Sequence, residues 1–292
     1  MPRGRAGDAV LGRRRLAVAL ARAVLPAAAC MALLAACAAG SSRQSTAEAL
    51  TAILAGDQRT PEARARDVYR HPKETLLFFG IRPEMSVLVV WPEPGYYTAI
   101  IAPLVHEKGK YTAAVVPADP ASSYRTKRLQ EYRDRLAARP DLYSRVVVAD
   151  FPDSGGDAAA PGSVDMVVTF RNIHNWMSRG DAAPAFASMY RVLKPGVVLG
   201  VVEHRGNPAV AQDPQAKSGY VNEDYAVKLI ESQGFRLVAK SEVNANPRDT
   251  KDYEQGVWTL PPTYRLGDKD HDKYAAIGES DRFTLRFVKP RK

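Results

Sequence analysis

Two short runs gather the side chains best suited to chemistry: Arg171, Asn172, His174 and Asn175, and further on Glu203, His204 and Arg205. Each run directly follows an apolar, β-branched stretch, Val164 to Phe170 and Val197 to Val202, that reads as a strand buried on both faces. In an open parallel sheet the ligand crevice lies at the carboxyl ends of the strands, so both runs fall where a ligand would sit. His174, Glu203 and His204 offer two imidazoles and a carboxylate, a set that satisfies zinc with one open position. Successive strand residues point to opposite faces, however. Glu203 and His204 therefore share a site only if the strand has ended, and no metal is expected. Polar residues after a strand also cap the next helix, a purely structural role open to any one of them.

The elements that must position these side chains are legible as a regular alternation. Apolar runs at Ser86 to Trp91, Tyr111 to Val116 and Arg145 to Ala149 precede the two already named. Helix-like stretches fall between them near Tyr96 to His106, Ser122 to Ala138 and Ala183 to Leu193. Five β/α alternations predict an α/β fold with a doubly wound, mostly parallel, Rossmann-like sheet. Before them, Thr60, Pro61 and Glu62 read as N-cap, first-turn proline and first-turn acid of a helix to about Tyr69. A second short helix from Pro72 ends at Gly80. After them, a helix from Asn222 to Gln233, a strand near Phe235 to Glu242 and an alternating run at Arg282 to Val288 suggest an antiparallel C-terminal edge.

The composition of the 292 residues, 46% hydrophobic and 25% charged, excludes a wholly disordered chain, a collagen and a coiled coil. The formal charge of +9 is concentrated at the start, where six arginines against Asp8 give residues 1–36 a net +5 and leave +4 for the rest. No nucleic acid partner is therefore expected. That basic start, followed by an apolar run from Ala23 to Ala36, reads as an export signal too short to span a bilayer. The run ends in Leu34, Ala35, Ala36 and Cys37, which resembles a lipoprotein box. Residues 1–36 are thus expected to be a signal peptide, with Cys37 lipidated and 37–59 serving as its tether. Residues 60–292 are expected to form one domain, held at a membrane by the lipid and exported to the periplasmic face of an outer membrane. Arg13, Arg14 and Arg15 also allow a twin-arginine route. Cys30 leaves with the leader, so the mature body holds no thiol, which excludes disulfides, thiolate zinc sites and a cysteine nucleophile.

The segments RHPKETLLFFGIRPEM, WPEPGYYT, GSVDMVVTFRNIHNW, RVLKPGVVLGVVEHR, NANPRDTKDYEQGVWTLPPT and AIGESDRFTLRFVKP resemble a bacterial family of class I S-adenosylmethionine-dependent methyltransferases, many with export signals. The resemblance implies S-adenosylmethionine as cofactor and a small molecule as methyl acceptor. It implies that Trp91, Gly95, Tyr97, Asp119, Asp150, Phe151 and Asn172 bind the cofactor. Asp119 would hold the ribose; Asp150 and Phe151 would take the adenine amine and ring. His174 would then act as general base or substrate donor, with Glu203 and Arg205 orienting the substrate. The superfamily's glycine-rich turn after the first strand is reduced here to Gly95, because Val89 stands at its acid position and Glu93 and Pro94 at two of its glycines. An alternative reading is a catalytically inactive lipoprotein of the same fold that binds or scaffolds. The WTLPP segment from Trp258 to Pro262, with Asp249 and Lys251 upstream, reads as a lid or as a pinned surface loop.

Overall fold

The computed structural model describes residues 42–152 and 156–291. The chain divides into two units, Met1–Ser45 and Thr46–Lys292. The signal peptide and Cys37 lie outside the described residues. Among the described residues no helix is long and apolar enough to cross a membrane.

The second unit is one seven-stranded sheet with strand order β3-β2-β1-β4-β5-β7-β6. Its strands are β1 (Ser86–Val90), β2 (Lys110–Val115), β3 (Val147–Asp150), β4 (Val164–Phe170), β5 (Leu193–His204), β6 (Arg236–Ser241) and β7 (Arg282–Val288). The first five pair in parallel, and β7 pairs antiparallel with both β5 and β6. This is the doubly wound α/β sheet that the alternation implies, with β7 inserted between β5 and the edge strand β6.

The helices are α1, which ends at residue 55, α2 (Pro61–Ala65), α3 (Asp67–Arg70), α4 (Pro72–Phe79), α5 (Thr98–Val105), α6 (Ser123–Ala137), α7 (Pro140–Tyr143), α8 (Ile173–Met177), α9 (Ala182–Val192), α10 (Glu223–Glu231) and α11 (His271–Ile277). Period-two alternation divides the core between the two faces of the sheet. Leu88, Val90, Val167, Leu199 and Val201 pack with residues of α8, α9 and α10. Val87, Val89, Met166, Val168 and Val202 pack instead with residues of α1, α4, α5 and α6. Gly200 lets the ring of Phe79 lie on the sheet, since a Cβ there would come within 2.7 Å of it.

Two sequence expectations are corrected. The domain begins before residue 60: residues 46–55 are helical, and Leu50 is fully buried in the core with Ala49, Ile53 and Leu54 packed against the same cluster. The alanine- and leucine-rich run of this segment supplies an apolar helical face, so it does not behave as a tether. The helix expected from Pro61 to Tyr69 is two helices that meet at Arg66, whose backbone N–H donates to the carbonyl of Ala63.

Candidate active site

The register of β4 on β5 sets Phe170 beside Val202, so the two polar runs leave the sheet side by side. β7 enters from the same end, pairing Arg282 with His204, and brings Glu279 and Ser280 with it. The result is a crevice of about 650 Å³ at the carboxyl ends of the parallel strands, within the size range of small-molecule sites.

Glu203 organises one wall. It has no exposed surface and sits beneath the first turn of α8. Its Oε2 accepts the backbone N–H groups of Ile173 (2.6 Å) and His174 (3.3 Å). Its Oε1 accepts the N–H of His204 at 2.8 Å and lies 3.1 Å from His174 Nδ1. Accepting these backbone donors fixes Glu203 as a carboxylate. His174 Nδ1 must then carry the hydrogen, and Nε2 keeps its lone pair on a ring that lines the crevice. The helix-capping role considered for these polar residues is thus filled by Glu203, which reaches α8 from the neighbouring strand.

His204 is buried beside this pair, its ring centroid 5.4 Å from that of His174, and its Nδ1 is hydrogen-bonded to Ser280 Oγ. Burial, reinforced by His174 and by Arg282, Arg171 and Arg70, pushes its pKa well below the ordinary value. Alternation holds to the end of β5, which stays paired with β7 through His204: Glu203 continues the face of Leu199 and Val201 toward α8, while His204 lines the crevice. One atom from each of His174, Glu203 and His204 lies within 4.8 Å of the others. The carboxylate's four lone-pair directions are nevertheless taken by the four donors above, which leaves none for a cation.

Of the residues assigned to the cofactor, Trp91, Tyr97 and Asn172 line the crevice. Tyr97 stacks on Phe170 with ring centroids 3.5 Å apart, and burial pushes its hydroxyl up to about 12. The Asn172 amide donates to Val90 O and Thr169 Oγ1. The others are placed elsewhere. Phe151 is in the core, 2% exposed, and its carbonyl accepts the Trp91 indole N–H at 3.0 Å. Asp150 ends β3 on the exposed surface, while Asp119 caps a local turn by accepting the N–H of Ala121. Gly95 donates its N–H to Pro92 O, and its φ of +109° backs it onto Arg135 rather than toward the crevice. Arg205 is held among Glu223, Glu242 and Asp281 and does not line the crevice.

Trp258, Pro261 and Pro262 line the crevice, and the Trp258 ring stands edge-on to His174 at 6.0 Å. The WTLPP segment therefore forms part of the crevice wall, with Thr259 and Leu260 buried behind it. Glu93 also lines it, and burial raises its pKa. Reading the sequence missed Arg66, Arg70 and Arg282, which line the crevice from the α2–α3 junction, α3 and β7. Arg66 and Arg70 lie one helical turn apart, but Arg282 comes from more than 200 residues downstream, and no local pattern brings it to them.

No family model and no curated protein matches the chain. Solved structures match its fold. A S-adenosylmethionine-dependent methyltransferase from Aquifex aeolicus aligns at 17% identity over 77% of this chain and 93% of its own, with a TM-score of 0.53. The [4+2]-cyclase SpnF aligns at 17% identity over 81% and 85%, with a TM-score of 0.55. The glycopeptide N-methyltransferase MtfA, complexed with sinefungin, aligns at 16% identity over 76% and 86%, with a TM-score of 0.50. The fold of this chain is that of the class I methyltransferases.

Proposed function

We propose that the protein transfers a methyl group from S-adenosylmethionine to a small molecule bound in this crevice. The observation that carries the reading is the His174–Glu203 pair, fixed in one tautomer and opening on a large crevice at the carboxyl ends of a methyltransferase-type sheet. The crevice fits the cofactor by volume and by the aromatic surface of Trp91 and Tyr97. These two residues and Asn172 would hold it. When bound, S-adenosylmethionine supplies a methyl group made electrophilic by its sulfonium. His174 Nε2 takes the proton that the acceptor releases, and Glu203 stabilises the imidazolium that forms. Trp258 and Pro262 exclude water above the pair.

A second reading, a non-catalytic binding lipoprotein, is favoured by two observations. Phe151 is buried, and the loop at Pro92 and Pro94 lacks two backbone donors. The fold alone does not decide, since the cyclase named above shares it. On either reading the leader and Cys37 support an exported, lipid-anchored protein. Calorimetry of the full-length chain with S-adenosylmethionine and S-adenosylhomocysteine is the test. Micromolar binding is expected, and no heat with either ligand would leave the binding reading.

A further inference from the structure

One end of the crevice is built from guanidinium groups. Arg66, Arg70, Arg171 and Arg282 line it, and a smaller adjoining recess is lined by Arg70, Arg171 and Arg282 with Tyr97 and Phe170. A single carboxylate, Glu279, answers three of them. It pairs with Arg66 and Arg282 and lies 3.2 Å from Arg70 Nε. Burial opposes its ionisation, but Arg282, Arg70 and Arg66 hold its pKa well below the usual carboxylate range. Four cations against one anion leave the cluster at +3.

Half of the cluster is withdrawn from water: Arg70 and Arg282 are 4% and 2% exposed, while Arg66 and Arg171 are half-buried. Arg66 Nη2, Arg70 Nη2 and Arg282 Nε are buried without a hydrogen-bond partner. Arg171 has no side-chain hydrogen bond or ion pair among the described residues, and its backbone sits at a φ of +62°, a costly region for a residue with a Cβ. Burial and the charges of Arg70 and Arg282 depress its pKa. Buried donors without acceptors and like charges without a counterion both destabilise the unliganded protein. Planar guanidiniums offer paired donors that match an oxyanion.

We propose that this end of the crevice binds an oxyanion, a carboxylate or phosphate group, of the molecule on which the protein acts. S-adenosylmethionine is a poor source of that anion, because its sulfonium and ammonium outweigh its one carboxylate and would add to the positive charge. If the methyl-transfer reading holds, the acceptor is therefore anionic; the anion site itself does not rest on that reading.

The test measures melting of the full-length protein and of Arg171→Gln and Arg171→Lys in phosphate and in malonate, with ionic strength held constant by chloride. At 100 times its dissociation constant either anion raises the wild-type Tm by roughly 5 °C. Arg171→Gln melts no lower than wild type without anion, since it relieves repulsion, and loses the anion shift. Arg171→Lys keeps the charge but not the fork and binds roughly tenfold more weakly. A response to malonate alone assigns a carboxylate ligand, and one to phosphate alone a phosphorylated one. Equal shifts in wild type and Arg171→Gln would be general salt stabilisation and would overturn the proposal. So would unmoved wild-type melting in both anions with S-adenosylhomocysteine affinity falling tenfold in Arg171→Gln, which would assign the arginines to the cofactor. Absence of S-adenosylhomocysteine binding alongside a phosphate or malonate shift would instead remove methyl transfer and leave the anion site standing.

Discussion

The two sides of the crevice are built differently. On the side of β4, β5 and β7, charged and polar groups interlock below the surface: Glu203 with α8 and His174, His204 with Ser280, Glu279 with three arginines. On the side of β2 and β3, the acids that the family resemblance selects are spent locally or face solvent. Asp119 caps a turn, Asp150 is exposed, and the space beside Phe151 is occupied by the Trp91 indole. Buried polar networks are costly unless complete, so a sheet end that carries one has a reason beyond stability. On the proposed methyl-transfer reading, the contrast puts the interlocked polar groups on the acceptor's side of the crevice and leaves the side expected to take the nucleotide without them.

The largest effect that would break this contrast is expected at Glu203. Glu203→Ala strands three buried N–H groups and the His174 imidazole at once, which should cost about 3–5 kcal/mol. Urea denaturation followed by circular dichroism would measure it. A loss under about 1 kcal/mol would mean that water replaces the carboxylate and that α8 does not depend on it.

Acidification probes the same side with a smaller effect. The folded-state pKa of His204 lies well below its usual 6.5, so below that pH the unfolded chain takes up a proton that the folded chain refuses. Stability present above pH 6.5 is therefore lost as pH falls, by at most about 1.4 kcal/mol per unit. Glu279 acts with the same sign in a lower window, beginning near its usual 4.5. Melting scans between pH 7.5 and 5.5 should show the decline, and His204→Gln should flatten it. A slope unchanged in the variant would place the responsible proton elsewhere.

How much of this was legible follows from where each signal resides. Strands buried on both faces announce themselves as apolar runs, and β4 and β7 carry the bounds their residues imply. The pairing of His174 with Glu203 was legible as adjacency of two strand ends, because parallel register fixes it. That Glu203 would serve α8 from below while His204 lines the crevice was not, since alternation separates the two faces without saying which of them opens on the ligand. The arginine cluster depends on Arg66 and Arg70, one helical turn apart, meeting Arg171 and Arg282 from distant parts of the chain, a tertiary fact that no local pattern marks. Phe151 illustrates the opposite error. An aromatic after a strand reads equally as a ring for stacking and as a core residue, and packing against Trp176 selects the second.

The smallest expected effect sharpens the other side of the contrast. Asp150 is exposed, and no side-chain hydrogen bond or ion pair ties it to the described residues. Asp150→Ala should therefore change stability by no more than about 0.5 kcal/mol. If nucleotide recognition has moved away from β3, S-adenosylhomocysteine affinity should also change less than about threefold, because no charge-assisted hydrogen bond is lost. Calorimetry on the variant and wild type side by side decides between placements. A tenfold loss, about 1.4 kcal/mol, would mean that the bound state draws Asp150 into contact with the ligand. The Trp91 indole would then have to leave the Phe151 carbonyl to admit the adenine, and Trp91→Phe, which lacks that hydrogen bond, should bind more tightly than wild type. Unchanged affinity in both variants would confine ligand recognition to the side where the buried charges lie.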